Sequence, residues 1–221
     1  GVSVAPSATP LLTPATLRQL HAAGIDAISL SLDGSTAERH DAIRGITGTY
    51  ERTLEAARVA GEIGLPFQVN TLVCADTVDD LPAIHEQVVV IGAARWSLFF
   101  LVTVGRGQVL QPVSAERAEA LLGWVAGLSG PPGRGRLVVT TTEAPQLRRV
   151  MAERRGGAPA SGGSAHHGAC IRDGNGILFI SHTGEICPSG FLELSAGNVR
   201  RDDVVEIYRR ATLFRALRDP Q

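Results

Sequence analysis

Residues 28–71 read ISLSLDGSTAERHDAIRGITGTYERTLEAARVAGEIGLPFQVNT, and the order of patterns in this stretch decides the fold class. Ala27–Leu32 is short and apolar, as a buried strand is, and it runs into Asp33-Gly34, a pair that leaves a strand through a turn. A short turn of helix is expected near Ala37–Ile43. A longer one follows over Tyr50–Ile63, with Leu54, Ala57 and Gly61 on its inner face and Gly64 as its cap. Phe67–Val73 is the next strand. Strand, helix and strand joined by short loops imply a right-handed crossover and a parallel pair.

The same alternation extends to both sides. Val2–Ser7 is strand-like, and Thr13 with Pro14 has the form of an N-cap followed by proline at the first helical position. Leu17 and Leu20 then share a helix face, and Gly24 ends it. Downstream, Leu81, Ile84, Val88 and Ile91 recur at helical spacing up to Gly92; Trp96–Thr103 is a fourth strand and Ala115–Leu128 a further helix. The class is therefore α/β with a parallel sheet. Near-continuous apolar runs such as AISLSL and WSLFFLV suit a sheet covered on both faces. Periodicity does not separate an open sheet from a closed barrel. In either case functional groups belong at the C-terminal ends of the strands, where this chain carries Ser7, Ser31, Asp33-Gly34, Asn70 and Gly105-Arg106-Gly107.

The pattern changes after Gly127. SGPPGRGR is a linker, LVVTTTEAPQLRRVMAERR reads as a strand and a helix, and GGAPASGGSAHHG is too polar and glycine-rich to bury. GILFISHTGEICPSGF places two alternating runs around His182-Thr183-Gly184, a hairpin signal, and Asp203–Arg210 is a last helix. The expected division is 1–130, a linker region 131–165 holding the strand and helix, and 166–221.

Composition removes several classes of function. Among 221 residues, Lys plus Arg number 21 and Asp plus Glu 22, so no net charge draws the chain to nucleic acid or to an acidic membrane surface, and neither partner is expected. No apolar run approaches the roughly 20 residues that span a bilayer, and no signal-peptide pattern is present. Three cysteines, Cys74, Cys170 and Cys187, do not make a disulfide framework, and a reduced cytoplasmic setting is expected. The bare strand at Gly1 and the close at Gln221 read as truncation at both ends.

Several side chains carry candidate chemistry. Ser31 and Asp33 stand where a strand delivers polar groups to a ligand, and an acidic residue there can bind ribose hydroxyls. The plainer reading is that Asp33 stabilises the turn with Gly34, and spacing alone leaves both open. Arg106 has the planar fork to clamp a carboxylate, or is an exposed turn arginine. Cys170 and Cys187 bracket the hairpin and can each supply one thiolate to an iron–sulfur cluster, or be small buried hydrophobes. Cys74 has no base beside it in sequence and reads as structural; His166-His167 read as surface residues.

SLDG, then His40-Asp41-Ala42-Ile43-Arg44-Gly45, Gly48, a helix and a strand with Asn70-Thr71 resemble the middle of radical S-adenosylmethionine (SAM) enzymes of the SPASM and twitch subgroups. The strand ending in Gly105-Arg106-Gly107 is similar to the branch that includes alternative heme and heme d1 pathway enzymes. The resemblance implies the later part of a partial (β/α)6 TIM-like barrel, strands three to six over 1–130, followed by the start of a SPASM or twitch auxiliary-cluster domain. It implies SAM-binding roles for Ser31, Asp33, Asn70 and Arg44, a tetrapyrrole-carboxylate contact for Arg106, and cluster ligation by Cys170 and Cys187. In the family the hairpin cysteine follows the proline, whereas here Cys187 precedes Pro188 and Ser189 holds that place. The implied activity is reductive cleavage of SAM at a 4Fe-4S cluster to a 5′-deoxyadenosyl radical, fed by flavodoxin or ferredoxin and acting on a tetrapyrrole or a peptide. The CxxxCxxC triplet that holds the cluster does not occur in these residues, nor does the Gly-Gly-Glu-like segment, so the chain by itself is expected to be inactive. The competing expectations are a clusterless barrel serving as a binding or scaffold module and an unrelated TIM-like enzyme for a phosphorylated metabolite.

Overall fold

Five parallel strands in sequential order, each followed by at least one helix, form the larger part of the molecule. The structure, a computed structural model, describes residues 1–128, 137–154 and 173–219, with Arg106 as backbone only. The strands are β1 (Ser3–Val4), β2 (Ala27–Ser31), β3 (Phe67–Val73), β4 (Arg95–Phe100) and β5 (Val138–Thr142). The helices are α1 (Pro14–Ala22), α2 (Ala37–Arg44), α3 (Thr49–Glu62), α4 (Leu81–Val90), α5 (Ala115–Leu128) and α6 (Leu147–Arg154). The strand and helix expected within 131–165 are β5 and α6, and β5 pairs with β4 from Arg95↔Val138 to Phe99↔Thr142.

Local chemistry sets the helix ends. Thr13 caps α1 by accepting the Thr16 N–H, with Pro14 at the first helical position as expected. Thr36 caps α2 in the same way through the Arg39 N–H, and Gly45 closes it at φ 69°. Gly48, at φ 79°, precedes α3 and offers no side chain. Asp41 of α2 supplies the acceptor from outside, taking the Gly48 and Tyr50 N–H groups at 2.5 and 2.9 Å and the Thr49 hydroxyl at 2.7 Å. One carboxylate thereby ties the two helices together.

Because strand order equals chain order, every right-handed crossover returns to the next strand on the same side, and the helices collect on one face. Ile28, Leu30, Val69, Trp96, Leu98 and Val139 are buried there with Leu17 of α1, Ala56, Ala57 and Ala60 of α3, Ile84 and Val88 of α4, and Val125 of α5. Small alanines bring α3 close to the sheet. The inner face of α3 thus differs from the expected Leu54, Ala57 and Gly61: Ala57 is buried, Leu54 half-buried and Gly61 exposed.

The expectation of a sheet covered on both faces is corrected. β3 alternates strictly between buried and half-buried, and so does β2. The second face carries Ser29, Ser31, Gln68, Asn70, Ser97 and Thr140, and no helix packs on it among the described residues. The long apolar run of β4 hides this alternation, since Phe99 on the second face is itself only half-buried.

The described residues fall into two compact units, 1–154 and 173–219. The second unit holds a three-stranded antiparallel sheet, β6 (Phe179–Ile180), β7 (Glu185–Cys187) and β8 (Gly197–Asn198), with helices α7 (Val204–Arg210) and α8 (Thr212–Arg218). The hairpin turns at Gly184, φ 91°, as the His182-Thr183-Gly184 signal required. Asp203 caps α7 through the Glu206 N–H. Phe214, fully buried, packs on Tyr208 at 5.3 Å between ring centroids.

Candidate functional site

The C-terminal ends of β2 and β3 bring four of the expected residues together. Ser31 and Asn70 are register partners on adjacent strands, and the row continues through Ser97 to Thr140. All four point to the face that the helices leave bare. Thr140 Oγ1 donates to Ser97 Oγ at 3.2 Å, and Asn70 Oδ1 accepts from Gln68 Nε2 at 2.6 Å. Among the described residues no hydrogen bond engages Ser31 Oγ or Asn70 Nδ2. Neighbouring hydroxyl and amide groups on a half-buried face are thus free to meet a hydroxyl-bearing ligand. Ser97 and Thr140 were not singled out in the sequence; the signal that finds them is register with Asn70, which needs the strand pairing.

Asp33 lies just past β2 and is 3% exposed. Its Oδ1 accepts the Leu72 N–H at 2.7 Å, in the place where a ladder carbonyl would otherwise sit, and its Oδ2 meets Arg44 Nη1 at 3.2 Å. Each oxygen keeps further acceptor capacity. The Asp33 N–H donates to His40 Nδ1 at 2.9 Å. His40 is 1% exposed, and its pKa is held below the ordinary value, chiefly by burial and also by Arg44, against the opposing pull of Asp33 and Asp41. Gly34 does not take positive φ; it is a close-approach glycine, since a Cβ there would stand 2.4 Å from the His40 backbone nitrogen. Ser35 completes the loop by donating its N–H and hydroxyl to Asp80 at 2.6 and 2.7 Å.

The remaining candidates lie elsewhere. Arg106 falls in the 3-10 turn Gly105–Val109 after β4, with its side chain outside the described residues. Cys170, with His166 and His167, also lies outside them. Cys187, in β7, is 6% exposed, and burial, with smaller pushes from Glu185 and Glu193, raises its thiol pKa. Ser189, at the family's cysteine position, accepts the Phe191 and Leu192 N–H groups and so shapes the turn instead. Cys74 is fully buried, with its N–H donated to Thr77 Oγ1 at 3.0 Å.

The polar row fits a hydroxyl-rich cofactor such as SAM. The described residues do not fit an iron–sulfur cluster: none of their His, Cys, Asp and Glu side chains gather in threes at metal-binding distance. Nor is any described helix long and apolar enough to cross a membrane.

Comparison with known proteins bears on the family and the fold. The sequence profile of the Radical SAM superfamily matches residues 1–88. An AdoMet-dependent heme synthase of Methanosarcina barkeri is 35% identical over 217 residues, 96% of this chain and 61% of its own length. A PqqA peptide cyclase of Granulibacter bethesdensis is 33% identical over 141 residues, 64% of this chain and 33% of its own. The chain therefore spans less than two-thirds of the curated relatives it matches. Streptococcus suis SuiB, solved with S-adenosylmethionine, superposes with a TM-score of 0.72 at 13% identity, over 99% of this chain and 50% of SuiB. That likeness is one of fold, and it identifies the five-stranded sheet as part of a TIM-like barrel.

Proposed function

From the match of residues 1–88 to the Radical SAM superfamily, we propose that the whole protein reductively cleaves SAM at a 4Fe-4S cluster and uses the radical on a tetrapyrrole. The observation that carries this reading is the juxtaposition of Ser31 and Asn70, register partners with uncommitted polar groups at the C-terminal mouth of the sheet. SAM bound at such a cluster supplies a 5′-deoxyadenosyl radical that takes a hydrogen atom from the substrate. In this reading Ser31 and Asn70 hold the adenosyl group by hydrogen bonds, and Asp33, kept in place by Arg44, stands beside its ribose. The cluster ligands come from outside these 221 residues, whose three cysteines form no CxxxCxxC triplet.

The tetrapyrrole is preferred to a peptide because, over nearly the same share of this chain, 96% and 94%, the heme synthase is 35% identical and a PqqA peptide cyclase of Rhizobium meliloti 26%. Arg106, in the turn after β4, offers a guanidinium to a propionate-type carboxylate. An auxiliary cluster held in part by Cys170 and Cys187, a flavodoxin or ferredoxin as electron donor, and a cytoplasmic setting complete the proposal.

The test is SAM affinity, measured by calorimetry on the reconstituted whole protein. Asn70→Ala and Asp33→Ala are expected to weaken binding about tenfold each, as loss of a hydrogen bond to a ligand does. Cys74→Ala, away from these partners, is expected to leave it unchanged. Equal affinity in all three variants would remove the β2–β3 mouth from the cofactor site. Spectral titration with carboxylated tetrapyrroles, with and without Arg106→Leu, tests the substrate class.

A further inference from the structure

The peptide unit between Leu32 and Asp33 is gripped at both polar ends by side chains. Its carbonyl accepts the Thr71 hydroxyl at 2.7 Å, and its N–H donates to His40 Nδ1 at 2.9 Å. Thr71 Oγ1 in turn accepts the indole N–H of Trp96 at 2.8 Å, so the hydroxyl's proton is committed to Leu32. Thr71 and Trp96 are fully buried and His40 is 1% exposed. These bonds form beyond the last residue of β2, where side chains replace the ladder partners that end there. Three elements converge on one amide: α2 sends His40, β3 sends Thr71, and β4 sends Trp96.

A peptide plane held at both its oxygen and its nitrogen fixes the N–Cα bond of Asp33, so that a single backbone torsion is left to set the direction of its Cα–Cβ bond. That bond aims the Asp33 carboxylate, whose oxygens then meet the Leu72 N–H and Arg44. The grip depends on close approach of α2, which Gly34 permits. We propose that His40 and Thr71 are positioning residues of the SAM pocket, acting through the Leu32–Asp33 peptide to hold Asp33 in its cofactor-facing orientation. This rests on the reading of Asp33 as a SAM contact. The geometry also sets the tautomer: Nδ1 accepts, so the imidazole is neutral with its proton on Nε2, and an imidazolium cannot serve.

The experiment compares SAM affinity in the reconstituted whole protein for His40→Leu, His40→Asn, Thr71→Val and Asp33→Ala, with thermal melts as a check on folding. Asn places an acceptor oxygen where Nδ1 sits and is expected to bind SAM like the unaltered protein. His40→Leu and Thr71→Val are each expected to weaken binding about tenfold. If His40→Leu fails to fold, Thr71→Val carries the comparison. Independently, 15N spectra of histidine-labelled protein at neutral pH should show His40 protonated at Nε2 and bare at Nδ1. Weak binding by Asp33→Ala alone, with His40→Leu and Thr71→Val unaffected, would overturn the positioning role and leave the cofactor site standing. Unaltered binding by Asp33→Ala would overturn both, and a proton on Nδ1 would overturn the role of His40 directly.

Discussion

A carboxylate at 3% exposure needs compensation, and Asp33 finds it in a guanidinium 34% exposed and a strand amide. The two sequence readings of Asp33, turn organiser and ligand contact, are therefore compatible: the bonds that fix the turn also aim the side chain. Gly34 is legible in the sequence as a turn glycine, but the need for glycine there is not. Its backbone needs no left-handed conformation, and the constraint is the α2 backbone packed against it, which only folding reveals. Gly34→Ala is expected to destabilise the chain by about 1–3 kcal/mol, as overpacking against immovable backbone does, and a denaturant titration measures it. His40 gives a second expectation. Its folded pKa lies below the ordinary 6.5, so the unfolded chain takes up a proton first as pH falls. Stability is complete above about pH 6.5 and declines below it as the folded imidazole is forced to charge. Asp33 and Asp41 soften that decline, Arg44 sharpens it, and the Tyr50 ring packs 6.0 Å away. Melting temperatures of the unaltered protein and His40→Asn, compared from pH 7 to 5, should diverge in that direction; parallel curves would show that His40 is not buried neutral.

At the scale of elements, sequence pattern located the strands and helices well where a cap or a glycine marks the end. Phe67–Val73 and Ala115–Leu128 have the expected bounds, and α1 starts on Thr13 and Pro14 as read. What pattern missed depends on pairing: the membership of β5 in the sheet, the two-residue β8, and helix α8 after the break at Ala211. The site was legible as separate residues, Ser31, Asp33, Arg44 and Asn70, through resemblance, while Ser97, Thr140, His40 and Thr71 join it only through register and hydrogen bonds. The Asp41 bridge between α2 and α3 yields a prediction at this scale. The Thr49 hydroxyl, with the Tyr50 and Gly48 amides, brings its pKa down from 3.8 to about 2. A lowered acid pKa stabilises the folded chain above about pH 4, and that contribution is lost as pH falls toward 2. Asp41→Ala should lower the melting temperature by a few degrees at pH 7 and flatten the acid limb between pH 4 and 2. An unchanged acid limb, read by circular dichroism, would assign the acid sensitivity elsewhere.

Taken as a whole, the larger unit is a sheet with its helices on one side and short edges. β1 contributes two paired residues, and Val2 beside it is 61% exposed. A sheet with one face uncovered and a frayed edge has less to bury than a closed barrel, and its edge invites intermolecular pairing. Residues 1–221 produced alone are expected to melt broadly and to aggregate on heating. A sharp, reversible transition from a monomer in scanning calorimetry would contradict this.

The strict alternation along β2 and β3 has a consequence for how such a protein can change over time. Odd and even positions answer to different masters: Ile28, Leu30, Phe67 and Val69 to the core, Ser29, Ser31, Gln68 and Asn70 to whatever occupies the bare face. A strand built this way is two nearly independent texts written on one ribbon. The text facing the ligand can be rewritten letter by letter, and chemistry can drift from one substrate to another, while the text that keeps the scaffold folded is left unread.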